Sequence, residues 1–197
     1  MNLKWLSDHN SKLKDSSVRI FAWSLPAGKT CPQAKGCRNI CYAQRRRFLW
    51  EPAVERRERN LKLALDGRRF LKELTDDLIR ISRIKDCFVR LHDSGDFFNE
   101  LYARNWRILI NQFPEIQFYA YTKSVEMVKG NICSLNFRPI FSLGGRQDRL
   151  ISVQNDRHAR IFRTRRQLLA AKYVDGSKDD AVAATSPSLC IGLVLKK

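Results

Sequence analysis

Short apolar segments that end in polar clusters recur along this 197-residue chain and constrain its fold more than any other feature. The first four occupy residues 18–23, 87–91, 116–121 and 139–143, and each is rich in β-branched or aromatic residues, a composition typical of strands. Segments with helical spacing separate most of them. Because alternating strands and helices build parallel sheets, we predict an α/β fold, either a partial (βα) barrel or an open, mostly parallel sheet of about six strands.

The remaining segments complete this outline. Helices are predicted over 54–84, with a break near Asp66-Gly67, and over 99–111, 125–128 and 157–171, whereas 147–155 is irregular. Two late strands are predicted over 181–185 and 190–195. The length suits one domain over 1–197. We divide it into a polar N-terminal lead-in (1–17), a cysteine loop (24–47) and βα units (48–197).

The charge is strongly positive, with 37 Lys and Arg against 20 Asp and Glu, a net charge of +17. A domain this basic usually contacts a polyanion, and Arg suits bidentate contact with phosphate. We therefore expect DNA or RNA as a partner; a solvated basic surface is the alternative. The candidate contacts come from two clusters: Arg45, Arg46 and Arg47, then Arg163, Arg165 and Arg166.

No apolar run approaches the about 18 residues that a membrane-spanning helix needs. The N-terminal residues are polar and charged, unlike a signal peptide. These features predict a cytoplasmic protein with no membrane partner, and they leave the oligomeric state open.

Three of the six cysteines, Cys31, Cys37 and Cys41, are clustered, with five and three residues between them. In a cytoplasmic chain such a cluster favours a metal centre over disulfides. Three thiolates leave one position open, as in a 4Fe-4S cluster with one free iron. Zinc is the alternative, with His92, Cys190 or water as fourth ligand; the absence of paired Cys-x2-Cys motifs favours iron–sulfur. Three unliganded thiols are the remaining interpretation.

Polar side chains follow each predicted strand, and the carboxyl ends of parallel strands share one edge, where sites of α/β proteins gather. Asp93, Asp96 and Lys123 are the catalytic candidates there. The cofactor-binding candidates are Ser94, Gly95, Asp96, Ser142 and Arg146. Structural alternatives remain open, because Asp93 and Ser94 could cap a helix, His92 could be a core residue, and Lys123 and Arg146 could be surface charges.

Several of these motifs resemble one phage family. They are Thr30-Cys31-Pro with Cys37 and Cys41-Tyr-Ala, Arg90-Leu-His-Asp-Ser-Gly-Asp-Phe97, Tyr119-Ala-Tyr-Thr-Lys-Ser124, Ser142-Leu-Gly-Gly145 and Thr185-Ser-Pro-Ser188. Together they resemble the phage gene product 88 family from about residue 24 to residue 194. The resemblance implies a phage context, and hence the host cell cytoplasm.

The order of features also resembles the radical S-adenosylmethionine (SAM) architecture, in which three cluster cysteines follow the first strand. That resemblance implies that Asp96 binds the amine of SAM and that the open iron binds its amino and carboxylate groups. The spacing differs, since radical SAM enzymes have three and two intervening residues. The gene product 88 resemblance also implies further cysteines beyond the last strand, and none follows Cys190.

The sequence is therefore compatible with three functions, and it does not decide whether the chain is an enzyme. The first is an iron–sulfur, radical SAM-like protein acting on or beside nucleic acid. The second is a nucleic-acid-binding protein with a structural zinc or iron–sulfur site and no catalysis. The third is a base-modifying enzyme that uses Asp93 or Asp96 beside a structural zinc, with a loose similarity to tRNA-guanine transglycosylases.

Overall fold

The computed structural model describes residues 3–8 and 18–195, and within them seven strands form a single sheet. The strands are β1 (Arg19–Trp23), β2 (Cys87–Leu91), β3 (Gln117–Thr122), β4 (Phe137–Ser142), β5 (His158–Phe162), β6 (Val174–Asp175) and β7 (Cys190–Val194). Their order is β1-β2-β3-β4-β5-β7-β6, and every pair of neighbours is parallel. The sheet curls into an open half-barrel, which confirms the predicted α/β class.

Six α-helices occur in the described residues: α1 (Glu51–Leu65), α2 (Gly67–Ser82), α3 (Glu100–Gln112), α4 (Val125–Asn131), α5 (Arg165–Ala170) and α6 (Ala181–Thr185). The predicted break between α1 and α2 is confirmed. Asp66 separates the two helices, and its carboxylate accepts a hydrogen bond from the backbone N–H of Arg69, which caps α2. None of the helices in these ranges is both long and apolar enough to cross a bilayer.

Alternating side chains divide the strands between two apolar clusters. On the convex face, Trp23, Leu91 and Phe118 pack among helix residues such as Leu78 and Trp106. The concave face carries a smaller cluster. It contains Ile20, Ala22, Tyr119, Ile140, Ala159 and Ile191 from the strands, and Ala183 and Ala184 from α6. Helix α6 therefore fills part of the hollow of the half-barrel.

The described part of the N-terminal lead-in is anchored to the fold. One carboxylate, that of Asp77 on α2, accepts the backbone N–H groups of Lys4, Trp5 and Leu6 at 3.1, 2.7 and 3.0 Å. Trp5 and Leu6 are buried. The sequence analysis described the lead-in as polar, but Trp5 and Leu6 within it pack into the main apolar cluster.

Two predicted elements are wrong. The helix predicted over 157–171 is strand β5 followed by the short helix α5; Thr164 caps α5 by accepting from the backbone N–H of Gln167. Backbone pairing with β4 and β7 overrides the helical spacing here. The strand predicted over 181–185 is helix α6, in agreement with the high helix propensity of its alanines.

Gly192 on β7 provides a test of this packing. A Cβ at this position would lie 2.4 Å from Cγ of the buried Leu168 on α5. We expect Gly192→Ala to lower the free energy of unfolding by about 1–3 kcal/mol, because the packed core must shift. Urea denaturation measures this loss.

Gly130 on α4 is the matched control, because a Cβ there meets nothing within 4 Å. Gly130→Ala should be neutral or stabilising by up to about 1 kcal/mol. Equal effects of the two substitutions would contradict the packing of α5 on β7.

Candidate functional site at the carboxyl edge of the sheet

The cysteine loop crosses the carboxyl edge of the sheet. It leaves β1, and the backbone N–H of Gly36 donates to Gly144 O at 3.2 Å beyond the end of β4. The backbone N–H of Arg146 donates to Gln33 O at 2.9 Å. Since β2 and β3 lie between β1 and β4 in the sheet, the loop passes over the ends of both strands.

The segment after β4 is held in place to receive this loop. The carboxylate of Asp148 accepts the backbone N–H groups of Gly144 and Gly145, both at 2.8 Å. Gly144 has a φ of +91°, a conformation that favours glycine. Asp148 was absent from the sequence-based candidates, and its acceptor position three residues after a Gly-Gly pair is the signal that could have indicated it.

The three thiols of the loop are free and half-buried. Burial, with smaller contributions from the charges of Asp96, Cys41 and Cys37, raises the pKa of Cys31 to about 11, against the lowering effect of a hydrogen bond with the Gly28 backbone. The thiols are therefore close enough to interact electrostatically. Among the described side chains, however, no group of three His, Cys, Asp or Glu is positioned to hold a metal ion.

The two residues considered as a fourth zinc ligand lie elsewhere. His92 is buried among aromatic rings, with its ring 4.5 Å from that of Phe97, as in the core-histidine interpretation. Cys190 begins β7, so it lies at the amino edge of the sheet, whereas the cysteine loop lies at the carboxyl edge.

Asp96 lies at the carboxyl edge and bridges the turn after β2 to the end of β3. Its carboxylate accepts the Thr122 hydroxyl at 2.6 Å and the backbone N–H groups of Lys123 and Phe97, both at 2.8 Å. Burial raises its pKa to about 6, against the lowering effect of these hydrogen bonds. A carboxylate offers about four acceptor positions, so roughly one remains for a further donor.

Lys123 reaches from β3 to the end of β4. Its Nζ donates to Ser142 O, Ser142 Oγ and Leu143 O at 2.8, 3.1 and 2.8 Å. An ammonium group has three donors, and all are engaged here. Lys123 therefore fixes the backbone at the end of β4 through Ser142 and Leu143. Arg146, which follows this segment, is exposed.

Ser94 and Gly95 hold the turn after β2 against the turn after β1. The Ser94 hydroxyl donates to Leu25 O at 2.6 Å. Gly95 has a φ of +85°, and a Cβ there would lie 2.5 Å from Thr30 Oγ1. Ser94 and Gly95 therefore join the turns after β1 and β2. Their contact with a cofactor stays a prediction.

Asp93 belongs to a different environment from Asp96. Arg90, on the concave face, forms ion pairs with Asp93 at 3.1 Å and with Asp180 at 2.5 Å, and all three side chains are buried. Burial would lower the pKa of Arg90, but the two carboxylates raise it well above its usual value. The two aspartates proposed as catalytic are thus separated, one inside the half-barrel and one at its edge.

Two tyrosines line the same part of the concave face. Burial raises the pKa of both Tyr119 and Tyr121, and the Arg90 guanidinium lies 5.5 Å from the centre of the Tyr121 ring. Within the described residues, neither hydroxyl nor Arg90 Nε has a hydrogen-bond partner. The signal for this cluster was present in the sequence, because Arg90, Tyr119 and Tyr121 occupy same-face positions of two paired strands.

The candidate nucleic-acid contacts fall into two groups. Arg45 is exposed and donates to Asn39 O at 2.8 Å, and the side chains of Arg46 and Arg47 lie outside the described set. Arg163, Arg165 and Arg166 are exposed just after β5, where Arg165 pairs with Asp175 at 3.1 Å. The first group lies at the end of the cysteine loop, and the second follows the carboxyl end of β5.

The Arg90–Asp180 pair predicts a measurable coupling. Asp180→Asn should cost about 3 kcal/mol of unfolding free energy, because it leaves a buried guanidinium with one carboxylate fewer. In an Arg90→Met background the same change should cost less by about 1–3 kcal/mol. Urea denaturation of the four proteins measures the coupling, and equal costs in both backgrounds would contradict it.

The exposed Arg104–Glu100 pair, at 3.1 Å, is the matched control for this cycle. Exposed pairs contribute about 0.2–1 kcal/mol, so Glu100→Gln should have a small effect.

His92 predicts a pH dependence of stability. Burial, and then the charge of Arg90, lower its pKa to about 3 from 6.5. The folded state therefore binds this proton less readily than the unfolded state, so stability is lost as pH falls from about 6.5 towards 3. Between pH 7.5 and pH 5 the loss is about 2 kcal/mol.

His92→Asn should remove this loss, and asparagine tolerates the φ of +67° at this position. Urea midpoints at the two pH values test it: the variant should be about 2 kcal/mol less sensitive to acid. The same sensitivity in both proteins would show that another group is responsible.

Comparison with known proteins identifies relatives of the chain. The model of the gene product 88 family matches residues 4–196. The gene 88 proteins of Mycobacterium phages D29 and L5 are each 31% identical to the chain over 131 residues. The matches cover 58% of this chain and 52% and 53% of the two phage proteins, so the chain spans about half the length of the curated relatives it matches.

No solved structure matches the chain at a significant level. The radical SAM resemblance has no support among these matches and stays a hypothesis. The phage resemblance is confirmed, because the family match covers nearly every residue: the chain belongs to the gene product 88 family.

Proposed function

We propose that this phage-type protein holds an iron–sulfur cluster at Cys31, Cys37 and Cys41 and uses it on nucleic acid at the carboxyl edge. The observation that carries the proposal is the docking of the cysteine loop across that edge. It brings three free, half-buried thiols beside Asp96 and within electrostatic reach of one another.

The chemistry of the donor set fits such a cluster, because thiolates are its usual ligands. The present positions of the thiols do not form a ligand group, so binding requires local movement of the loop. Residues 38–44 form two 3-10 turns in which Ala43 is the buried side chain. The turn over residues 38–40, between Cys37 and Cys41, buries no side chain, so it can move while Tyr42 and Ala43 stay held and the docked residues 33–36 stay in place.

A cluster bound there would supply single electrons for reductive chemistry, with SAM as the candidate second cofactor. The residues of the chain would bind and orient that cofactor. Asp96 has about one acceptor position left for an ammonium group, and the exposed Arg146 carries the positive charge that a carboxylate needs. Lys123 and Ser142 act as positioning residues, because their hydrogen bonds fix the segment on which Arg146 lies.

The alternative is a nucleic-acid-binding protein with a structural zinc or iron–sulfur site and no catalysis. The exposed arginines and the net charge of +17 favour this function as much as the first. The ion pairs of Asp93 with Arg90, and of Arg90 with Asp180, are consistent with a structural role for Asp93.

Metal and sulfide analysis of anaerobically purified protein, with its visible spectrum, tests the proposal. We expect bound iron and sulfide, both lost from Cys31→Ala, Cys37→Ala and Cys41→Ala. Cys133→Ala is the matched control, since Cys133 is a free, exposed cysteine after α4, and it should keep the cluster.

Colourless protein without iron, prepared anaerobically with iron supplied, would contradict the cluster; stoichiometric zinc would favour the alternative. Cleavage of SAM to 5′-deoxyadenosine, dependent on Cys41, separates the two functions. The catalytic version fails if the cluster is present and SAM stays intact under reducing conditions.

A further inference from the structure

We propose that residues 38–50 form a surface for single-stranded nucleic acid, on which bases stack against Trp50 and Tyr42. We call this segment the arginine–aromatic surface. The inference rests on the nucleic-acid part of the proposed function and specifies the strand form and the residues that bind it.

The charge of this part of the chain is uniform. Residues 24–50 contain no Asp or Glu, and their six basic residues are Lys29, Lys35, Arg38, Arg45, Arg46 and Arg47. A positive run of this kind attracts the phosphate backbone of any nucleic acid through the release of counterions. Lys29 pairs with Glu58 at 2.6 Å, whereas Arg38 and Arg45 are exposed.

Large apolar side chains are exposed among these charges. Trp50 is 67% exposed, Leu49 60%, Tyr42 52% and Ile40 40%. Apolar side chains concentrated at one place on a surface indicate a binding site. Aromatic rings interleaved with Arg are typical of surfaces that bind single strands, because every base has a face that can stack.

The part of this surface from Tyr42 to Phe48 is held in place by contacts with α1. The buried Arg57 of α1 donates to Ala53 O at 2.9 Å, to Ala43 O at 3.4 Å and also to Phe48 O. The Phe48 ring packs edge-on against Tyr42 at 5.0 Å. Because the Tyr42 ring is already ordered, it loses little entropy when a base stacks on it.

Tyr42 also joins this surface to the carboxyl edge, since its hydroxyl donates to Asp93 O. A base stacked on Tyr42 would lie beside the turn that carries Asp93 and Asp96. In a duplex, neighbouring base pairs stack on one another and cover the base faces on which Trp50 and Tyr42 would stack, whereas the bases of a single strand can present those faces. The structure therefore favours a single strand as the occupant.

Fluorescence anisotropy with labelled oligonucleotides of about 12 nucleotides tests the inference. Single-stranded DNA, single-stranded RNA and the matching duplex are compared at several salt concentrations. We expect at least one single strand to bind more tightly than the duplex. Trp50→Ala should weaken that binding by about 5- to 100-fold, and Trp50→Phe should keep most of it.

Two further variants separate stacking from charge. Arg45→Ala should weaken all three ligands together and lower the salt slope by about 1. Leu135→Ala removes an exposed apolar side chain that follows α4, and it should leave binding unchanged.

Duplex binding as tight as single-strand binding, with no effect of Trp50→Ala, would overturn the inference. So would a dimer of the wild-type protein that Trp50→Ala dissociates, because the surface would then bind a second copy. Metal analysis of the same samples separates the two proposals: a cluster without stacking overturns this inference alone, and stacking without a cluster overturns the metal centre alone.

Discussion

The turn after β2, residues 92–96, holds the carboxyl edge together, and the rest of the site depends on it. Two backbone hydrogen bonds join it to the end of β1. The N–H of Asp93 donates to Trp23 O at 3.0 Å, and the N–H of Leu25 donates to Ser94 O at 2.8 Å. The turn is possible because His92 and Gly95 adopt positive φ angles. Gly95 further allows Thr30 to approach within a distance that any side chain would block. Thr30 directly precedes Cys31, so this contact fixes the chain next to the first cysteine.

The same turn places two carboxylates in different environments. Asp93 is paired with Arg90 inside the half-barrel, and Asp96 accepts hydrogen bonds from the end of β3. Buried charges of this kind are costly unless paired or hydrogen-bonded, and here both conditions are met. The cysteine loop brings Cys31 near Asp96, and Tyr42, which follows Cys41 in the same loop, donates its hydroxyl to Asp93 O.

The sequence predicted the parallel sheet and the polar edge because both are local patterns: apolar strands followed by Asp, Ser, Gly and Lys. It could not predict β5, because that strand is defined by its pairing with β4 and β7. The arginines of this region instead fitted the helix predicted over 157–171. Asp180 was missed for a similar reason, since its partner Arg90 is 90 residues away. Trp50 and Tyr42 were not among the sequence-based candidates, because their exposure depends on the path of the chain between β1 and α1.

Hydrogen exchange at two backbone amides tests most directly whether the cysteine loop lies across the edge of the sheet. The N–H of Gly36 bonds to Gly144 O and that of Arg146 to Gln33 O, so both amides report the same docked state. In isotope-labelled protein we predict that both exchange more slowly than unstructured amides, and by similar factors. Exchange of both at the rate of an unstructured chain, in a protein whose sheet amides are protected, would contradict the placement of the cysteines at the edge.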